Sequence, residues 1–271
     1  MSQTLELDPV FSREWEGKDP FTELEKTEGE IFRQVKSRRT FRFEVDGHGY
    51  FAKVHRGVGW REIFKNLLMG KRPVLSAANE YRAIRRLEEL GVDTMTITAY
   101  GCRGWNPAKL ESFLVTAELP DMVSLEDYCR DWRENPPPFR RRIAIAASLA
   151  ETVGAMHRGG VNHRDCYLCH FLLDRATEET PLPRLHVIDL HRAEIRPEVP
   201  FRYRVKDVAG IYFSAMDCGL TRHDLFRFMK NYTGKTLRET LRQDRTFWRR
   251  VERAARRLYA KEFGHPAPRV A

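Results

Sequence analysis

The sequence predicts an α+β protein in which an antiparallel β-sheet is followed by a mainly helical part. Short segments with alternating apolar residues dominate the chain before Pro120, and such alternation is typical of half-buried strands. After Pro120 the apolar residues recur at helical spacing instead. With 271 residues and 42% hydrophobic content, the chain is long enough to bury one large core or two smaller ones.

Three alternating segments between Glu30 and Val54 predict the first strands. They read EIFRQV, TFRFEV and YFAKV, and the letters DGHG between the last two predict a tight hairpin. The next segment, LSAANEYRAIRRLEELGV, places its apolar residues on one helical face and ends at Gly91, which predicts a long helix. Two further strands are indicated by TMTITAYG and SFLVTAEL.

The second part of the chain begins with the helical segment SLEDYCRDW. The proline run in NPPPFRR marks a loop or a helix start, and a long helix is predicted from about Arg140 to Arg158. VNHRDCYLCHFLLD and RLHVIDLHRAEI look like short hairpin segments, and the pattern from Val205 onward is helical. We therefore divide the chain into residues 1–119, a β-sheet with a helix, and residues 120–271, mainly helical.

The charge of the chain points to an anionic partner. The formal net charge is +9, from 47 Lys and Arg against 38 Asp and Glu. This balance suits a nucleotide, a phosphorylated sugar, an acidic lipid surface or a nucleic acid, and for any single basic cluster a solvated helix face is an equally good explanation.

The sequence also indicates a compartment. No stretch approaches the apolar length of a membrane span, and the first 21 residues lack the basic start and apolar run of a secretory signal. We therefore expect a cytoplasmic protein. Five cysteines are an odd number, so free thiols are expected there rather than a disulfide framework.

The segment VNHRDCYLCHFLLD has two incompatible interpretations. Cys166, Cys169 and His170 form the C-x-x-C-H pattern of covalent haem attachment. His163 and Asp165 instead belong to an H-R-D triplet, after which His170 takes the place of the asparagine in the kinase pattern H-R-D-x-x-x-x-N. A cytoplasmic setting and the lack of a second C-x-x-C disfavour haem, and the two cysteines then serve as small apolar residues.

The rest of the chain favours the kinase interpretation. Phosphoryl transfer requires a positioning carboxylate, a metal-holding carboxylate and a cation on the nucleotide phosphates. Asp165, Asp189 in HVIDLHR and Lys53 in YFAKVH supply these groups in kinase order. Glu80 on the predicted helix is the natural ion-pair partner of Lys53, and the alternative acids of that helix, at positions 88 and 89, lie nearer its far end.

Four longer segments carry a family resemblance over nearly the whole chain. RRTFRFEVDGHGYFAKVHRGVGW, NHRDCYLCHFLL, VIDLHRA and KDVAGIYFSAMDCGLTRHD resemble the lipopolysaccharide core heptose(I) kinases of Gram-negative bacteria, the WaaP/RfaP family. The resemblance implies a protein-kinase-like fold with two lobes, residues 1–119 binding ATP and residues 120–271 carrying the catalytic loop and binding substrate. It also implies phosphorylation of the first heptose of the inner core with ATP and Mg²⁺.

Residue by residue, the resemblance implies Asp165 as the catalytic base and Asp189 with His170 as metal-binding residues. It implies structural support from His163 and from Asp207, the latter as a buried anchor of the catalytic loop. The residue type also suits Asp207 to a helix N-cap, and the two roles are compatible. The loop VKSRRT lacks the glycines that let backbone amides approach phosphate, so basic side chains are expected to replace them. The residues expected to contact ATP are Lys53, Glu80, Lys36, Arg38, Arg39, Glu118 and Leu119.

Other functions are weighed against this one. A protein tyrosine kinase, or another small-molecule kinase of the same fold, is the main alternative, but few residues separate Asp189 from Asp207 and no A-P-E follows. A nucleic-acid binder would explain the charge but not the ordered kinase residues. We expect neither nucleic acid nor haem as a ligand.

The expected partners are the inner-core heptose and either an anionic membrane surface or a small acidic protein. The expected location is the cytoplasm, or the cytoplasmic face of the inner membrane. The stretch GVGWREIFKNLLMGKRP mixes apolar and basic residues as an interfacial amphipathic helix would, although packing on its own lobe is an equal alternative.

Overall fold

The computed structural model describes residues 3–35, 37–69 and 75–269. The chain forms two compact units, one of Met1–Arg85 and Met95–Pro120 and the other of Arg86–Thr94 and Asp121–Ala271. The first contains an antiparallel sheet and the second contains mainly helices. The predicted α+β class is therefore confirmed.

The sheet of the first unit has the strand order β1-β5-β6-β4-β3-β2, and every neighbouring pair is antiparallel. Its strands are β1 (Gln3–Leu7), β2 (Glu30–Val35), β3 (Arg38–Val45), β4 (His48–Arg56), β5 (Ile97–Arg103) and β6 (Glu111–Ala117). The five strands that the alternation predicts are confirmed. Strand β1 was not predicted, although Leu5 and Leu7 alternate with polar residues in its five-residue segment.

The hairpin between β3 and β4 turns at Asp46 and Gly47. Both residues have positive φ, 50° and 74°, which is the backbone that a two-residue type I′ hairpin turn requires. The predicted hairpin is confirmed.

Among the described residues, four helices precede or separate these strands. They are α1 (Pro9–Glu14), α2 (Pro20–Lys26), α3 (Gly59–Leu68) and α4 (Ala78–Glu89). The predicted helix corresponds to α4, and Gly91 follows it with a φ of 66°, as expected for a helix stop.

An aromatic core covers one face of the sheet. Helices α1 and α2 contribute buried side chains that pack among inward residues of β3, β4, β5 and β6. The members are Phe11, Trp15, Phe21, Leu24, Phe41, Phe43, Tyr50, Ala52, Val54, Ala99, Phe113 and Val115. Because side chains alternate along a strand, Lys53, between Ala52 and Val54, points to the opposite face of β4.

The second unit is built from six helices among the described residues. They are α5 (Leu125–Tyr128), α6 (Phe139–Arg158), α7 (Phe201–Ala215), α8 (Arg222–Thr233), α9 (Leu237–Gln243) and α10 (Arg245–Phe263). The long predicted helix is confirmed as α6, whereas SLEDYCRDW forms only the single turn of α5. None of the helices in the described ranges has the length and apolar content needed to cross a bilayer.

Short strands flank the segments that carry the predicted catalytic and metal-binding residues. They are β7 (Met122–Ser124), β8 (Val161–Asn162), β9 (Phe171–Asp174), β10 (Leu185–Val187) and β11 (Glu194–Ile195). Strand β9 pairs with β7 and β10, and β8 pairs with β11. The segment 163–170 thus connects β8 to β9, and Asp189 lies between β10 and β11 in the chain. Because each of these strands is paired with another strand, both segments are held at both ends.

Candidate active site

The first unit holds an ion pair between Lys53 and Glu80. The Nζ atom of Lys53, on β4, lies 2.7 Å from Oε1 of Glu80, in the first turn of α4. Glu80 is only 1% exposed. A buried carboxylate needs a compensating charge, so this pair fixes the ammonium group of Lys53 on the face of β4 that points away from the aromatic core.

Arg38 and Arg39, two of the basic residues expected to contact phosphate, lie on opposite faces of β3. Thr40 is directly opposite Lys53 in the β3–β4 pairing, so Arg38, two residues before it, lies on the Lys53 face. Arg39 lies on the core face. Its guanidinium stacks 3.9 Å from the Phe41 ring centroid and donates to the carbonyl of Thr27 at 2.9 Å.

The structure therefore brings Arg38, and not Arg39, to the face of the predicted phosphate contact. Lys36, the third basic residue of that prediction, lies outside the described residues.

Glu118 and Leu119, two of the residues expected to contact ATP, follow the end of β6. The carboxylate of Glu118 accepts two hydrogen bonds from Arg42, each 2.8 Å long, and these lower the pKa of Glu118. The amide of Glu118 donates to the carbonyl of Gly49 at 2.9 Å. A nucleotide contact at this position would therefore use the backbone carbonyl of Glu118 or the backbone of Leu119.

In the second unit, the carboxylate of Asp165 is held by Arg192. The Nη1 atom of Arg192 donates to both oxygens of Asp165, at 2.8 and 2.9 Å. Arg192 lies in a 3₁₀ turn, Leu190–Arg192, that directly follows Asp189. The contact therefore connects the catalytic-loop carboxylate to the segment of the predicted metal ligand.

Asp189 and His170 face each other. The Nε2 atom of His170 lies 3.7 Å from Oδ2 of Asp189. The Nδ1 atom of His170 lies 2.7 Å from the carbonyl oxygen of Asp165. Because a carbonyl only accepts, Nδ1 carries the proton, and in a neutral imidazole Nε2 then presents its lone pair toward Asp189.

This pair fits Mg²⁺ in part. Among the described residues, no three His, Cys, Asp or Glu side chains converge as a complete metal site. Mg²⁺ does not need such a cage, because it keeps several waters and binds one or two carboxylates together with substrate phosphates. The carboxylate of Asp189 suits it, whereas imidazole nitrogen is not its preferred ligand, so the donor chemistry favours Asp189 over His170.

His163 links the two loops. Its Nε2 atom donates to the carbonyl of Ile188, the residue before Asp189, at 3.0 Å. Its ring stacks on that of His170, with centroids 5.4 Å apart and planes 5° from parallel. Burial lowers the pKa of His163, so the ring is a neutral structural donor at neutral pH.

Asp207 anchors the backbone of the catalytic loop. It is 1% exposed and accepts from the amide of His163 at 2.7 Å and from the amide of Arg164 at 3.0 Å. His157 lies 3.4 Å from the same carboxylate and 2.8 Å from the hydroxyl of Tyr232. Asp207 lies within α7, so the predicted role as a helix N-cap is wrong.

Cys166 and Cys169 differ in environment. Cys166 is 2% exposed, and burial raises the pKa of its thiol well above the usual value. Burial raises the pKa of Cys169 to about 11. Both thiols are therefore protonated at neutral pH, and the thiol of Cys166 is enclosed by the core rather than presented to a porphyrin.

Comparison with known proteins identifies the family. A family model described as "Lipopolysaccharide kinase (Kdo/WaaP) family" matches residues 22–232. The chain belongs to the lipopolysaccharide kinase (Kdo/WaaP) family. The resemblance seen in the sequence is thereby confirmed.

Its relatives within the family match over most of their length. A lipopolysaccharide core heptose(I) kinase WaaP from Pseudomonas aeruginosa is 52% identical over 260 residues, which cover 95% of this chain and 97% of the relative. The enzyme of the same name from Escherichia coli strain K12 is 49% identical over 238 residues, covering 88% and 90%. A solved structure of WaaP in complex with acyl carrier protein is 47% identical, with a TM-score of 0.83, and the match covers 94% of this chain and 99% of that one.

Sequence reasoning missed two residues at this kinase site. Neither Arg192 nor His191 is among the site residues that the sequence predicts, although both lie in the quoted segment HVIDLHR. The Nδ1 atom of His191 lies 2.7 Å from Oδ1 of Asp189. Their position directly after Asp189 was the available signal. The sequence did not predict the 3₁₀ turn that brings both side chains to the carboxylates of Asp189 and Asp165.

We predict that Asp207→Ala destabilises the catalytic loop. The substitution leaves the buried amides of His163 and Arg164 without an acceptor, at about 1–3 kcal/mol each. The free energy of unfolding, measured by urea titration, should fall by about 3 kcal/mol or more. The exposed Asp131 supplies the matched control, Asp131→Ala, with little expected effect.

Hydrogen exchange locates the effect. In the Asp207→Ala protein the amides of residues 163 and 164 should exchange faster than those of helix α10. If their protection equals that of the wild type, the anchoring role is refuted.

Proposed function

We propose that this chain transfers the γ-phosphoryl group of ATP to the first heptose of the lipopolysaccharide inner core. The observation that carries the proposal is the close similarity to heptose(I) kinases over nearly the whole chain, 52% identity across 95% of its residues. The Lys53–Glu80 pair and the grouping of Asp165, Asp189 and His170 supply the parts that phosphoryl transfer requires. Use of ATP as donor supports a cytoplasmic site of reaction.

Asp165 is the residue suited to accept the acceptor's proton. As the sugar oxygen bonds to the γ-phosphorus, the bond from that phosphorus to the ADP oxygen breaks, and the hydroxyl proton passes to the Asp165 carboxylate. Arg192 holds that carboxylate by contacts to both oxygens, so its orientation is set before substrate binds. The carboxylate later returns its proton to solvent.

Lys53 and Asp189 are suited to the phosphates. In kinases, a lysine paired with a helix glutamate contacts the α- and β-phosphates, and the pair observed here has that form. Asp189, next to Nε2 of His170, would hold Mg²⁺, which when bound neutralises charge on the β- and γ-phosphates. Arg38, on the Lys53 face of β3, adds positive charge where the strand follows a loop without glycines.

The alternative activity is phosphorylation of protein tyrosine or of another small molecule. Asp189 and the catalytic-loop anchor Asp207 are 18 positions apart, and this interval contains β11 and the start of α7. That leaves little chain for the long activation segment of a protein kinase. A sugar acceptor is therefore favoured.

The direct test supplies the acceptor. Labelled ATP, Mg²⁺ and core oligosaccharide with unphosphorylated heptose should yield phosphate on the heptose, located by mass spectrometry. Asp165→Asn should lower kcat by about 100- to 10,000-fold because the base is lost while the size is kept. Its melting temperature should stay close to that of the wild type, and the exposed control Asp131→Asn should keep full activity.

Two results contradict the proposal. Transfer of phosphate to tyrosine peptides but not to the oligosaccharide would show that the acceptor is protein and not heptose. Near-normal turnover by Asp165→Asn would refute the assignment of Asp165 as the base.

A second prediction concerns Arg192 as a positioning residue. Arg192→Ala should lower kcat by about 10- to 100-fold, because the Asp165 carboxylate loses its fixed orientation, while KM for ATP stays nearly unchanged. Arg192→Lys retains a cation and should recover part of the loss. If both variants instead raise KM for ATP with kcat unchanged, Arg192 acts in nucleotide binding and the positioning role is wrong.

We further propose that a small acidic protein, an acyl carrier protein, binds the second unit. The similar solved structure contains the relative in complex with such a carrier protein. In this chain the second unit contains a cavity of about 620 Å³ whose lining is mostly apolar, including Leu149, Ile211, Met229 and Trp248. An apolar cavity of this size suits an acyl chain, since apolar surface gains free energy on leaving water.

Basic residues at this cavity suit an acidic partner. Arg222, Arg245 and Arg249 all contribute to the lining and are exposed, which places them at its mouth. Guanidinium groups there can attract a negatively charged carrier protein while the cavity takes its acyl group.

The two contributions can be separated. Decanoyl acyl carrier protein should raise the melting temperature of the chain more than the carrier protein without an acyl group. Met229→Trp, which fills the cavity, should remove that difference. Replacing Arg222, Arg245 and Arg249 by Gln should instead weaken the binding of both carrier forms to the same extent. Equal effects of the two carrier forms on the wild type would contradict the acyl-chain assignment.

A further inference from the structure

Helix α3 presents large apolar side chains to solvent. Trp60, Phe64, Leu67 and Leu68 are 50%, 57%, 54% and 88% exposed. At 100° per residue these four positions fall within an arc of about 100°, so they form one continuous face. Trp60 and Phe64 stack with ring centroids 5.8 Å apart. We refer to these four residues as the α3 apolar face.

The face is distinct from the side by which α3 attaches to its own unit. Ile63 is 6% exposed and lies on the inward side, and α3 packs against the 3₁₀ turn Pro107–Lys109. Trp105, on the loop leading into that turn, is 85% exposed. Internal packing, one of the two interpretations of this segment, therefore explains Ile63 but leaves the α3 apolar face uncovered.

Basic residues border the α3 apolar face. Arg61 and Lys65 are exposed and lie on the edge of the arc opposite Ile63, spaced one helical turn apart. The sequence continues with two more cations, Lys71 and Arg72, which lie outside the described residues. An aromatic and aliphatic face with a cationic border is the pattern of a helix that lies in the headgroup region of a membrane.

We propose that the α3 apolar face docks on an anionic lipid bilayer, with its aromatic and leucine side chains in the headgroup region and its basic border on lipid phosphates. Charge complementarity selects this occupant: the chain carries a net charge of +9, and the cations lie directly beside the apolar face. The docking surface goes beyond the proposed kinase activity, because none of its residues belongs to the candidate active site. It would hold the enzyme beside a lipid-anchored acceptor.

Vesicle sedimentation tests the charge and the apolar face separately. The wild type should bind vesicles of phosphatidylcholine and phosphatidylglycerol at low salt, bind less at high salt, and bind pure phosphatidylcholine weakly. Arg61→Gln with Lys65→Gln should lower partitioning roughly 30-fold at low salt, about fivefold for each charge. Leu68→Gln should lower it severalfold at either salt.

Matched controls exist elsewhere on the surface. Arg253 and Arg257 are exposed, one helical turn apart on α10, and Leu182 is 54% exposed in a loop. Their replacement by Gln should leave partitioning unchanged. All variants should phosphorylate soluble core oligosaccharide at the wild-type rate, so a failure of vesicle binding and a failure of the kinase assignment give different results.

Tryptophan fluorescence reports where the helix lies. Trp60 and Trp105 are exposed, whereas Trp15, Trp132 and Trp248 are buried. In a Trp105→Phe protein, brominated lipid in anionic vesicles should quench the fluorescence of Trp60. This quenching should disappear in the double variant Trp60→Phe, Trp105→Phe.

Three outcomes overturn the proposal. The first is a wild type without salt-sensitive binding to anionic vesicles, and the second is equal binding by the α3 variants and the wild type. The third is a concentration-dependent dimer that Leu68→Gln abolishes, because it would assign the face to a second copy of the chain.

Discussion

The buried carboxylate of Asp207 is the contact on which the geometry of the second unit's site depends. It accepts hydrogen bonds from the backbone amides of His163 and Arg164. Arg164 has a φ of 72°, in the left-handed region. That backbone costs a non-glycine residue about 1–2 kcal/mol. Two hydrogen bonds to a charged acceptor contribute about 1.5–3 kcal/mol each, so the anchor outweighs the strain.

The anchor also reaches the segment of Asp189, the proposed metal ligand, through His163. The amide of that residue is held by Asp207, and its ring donates to the carbonyl of Ile188. Asp189, the next residue, also has a left-handed backbone, with a φ of 57°. Strained residues at both carboxylate-bearing loops are thus connected by one neutral histidine. Burial lowers the pKa of His163, so its ring stays neutral and adds no positive charge between Asp207 and Asp189.

Charge pairing is the second organising feature. Glu80 is almost fully buried, so removing Lys53 would leave an uncompensated carboxylate, which is among the more destabilising changes a protein interior can undergo. Asp165 is more exposed, and Arg192 balances it from the segment after Asp189. In each unit a residue proposed for phosphoryl transfer therefore also has a structural partner, so that its orientation is set by the fold before substrate arrives.

The sequence by itself determined the α+β class, five strands of the sheet, helices α4 and α6, and the family. The alternation of apolar residues in strands, the turn residues and the order of motifs are properties of the sequence itself, so they can be identified without a structure. Lys53, Asp165 and Asp189 could be proposed as site residues because they follow one another in the order of the kinase motifs.

Only the tertiary structure decided which groups meet. It placed Arg38 with Lys53 and turned Arg39 to the aromatic core, since adjacent residues of a strand point to opposite faces. It also showed that Arg192 holds Asp165, 27 positions away in the chain, and that the apolar face of α3 is uncovered. Such contacts depend on how distant segments pack, and no local pattern of apolar or charged residues encodes them.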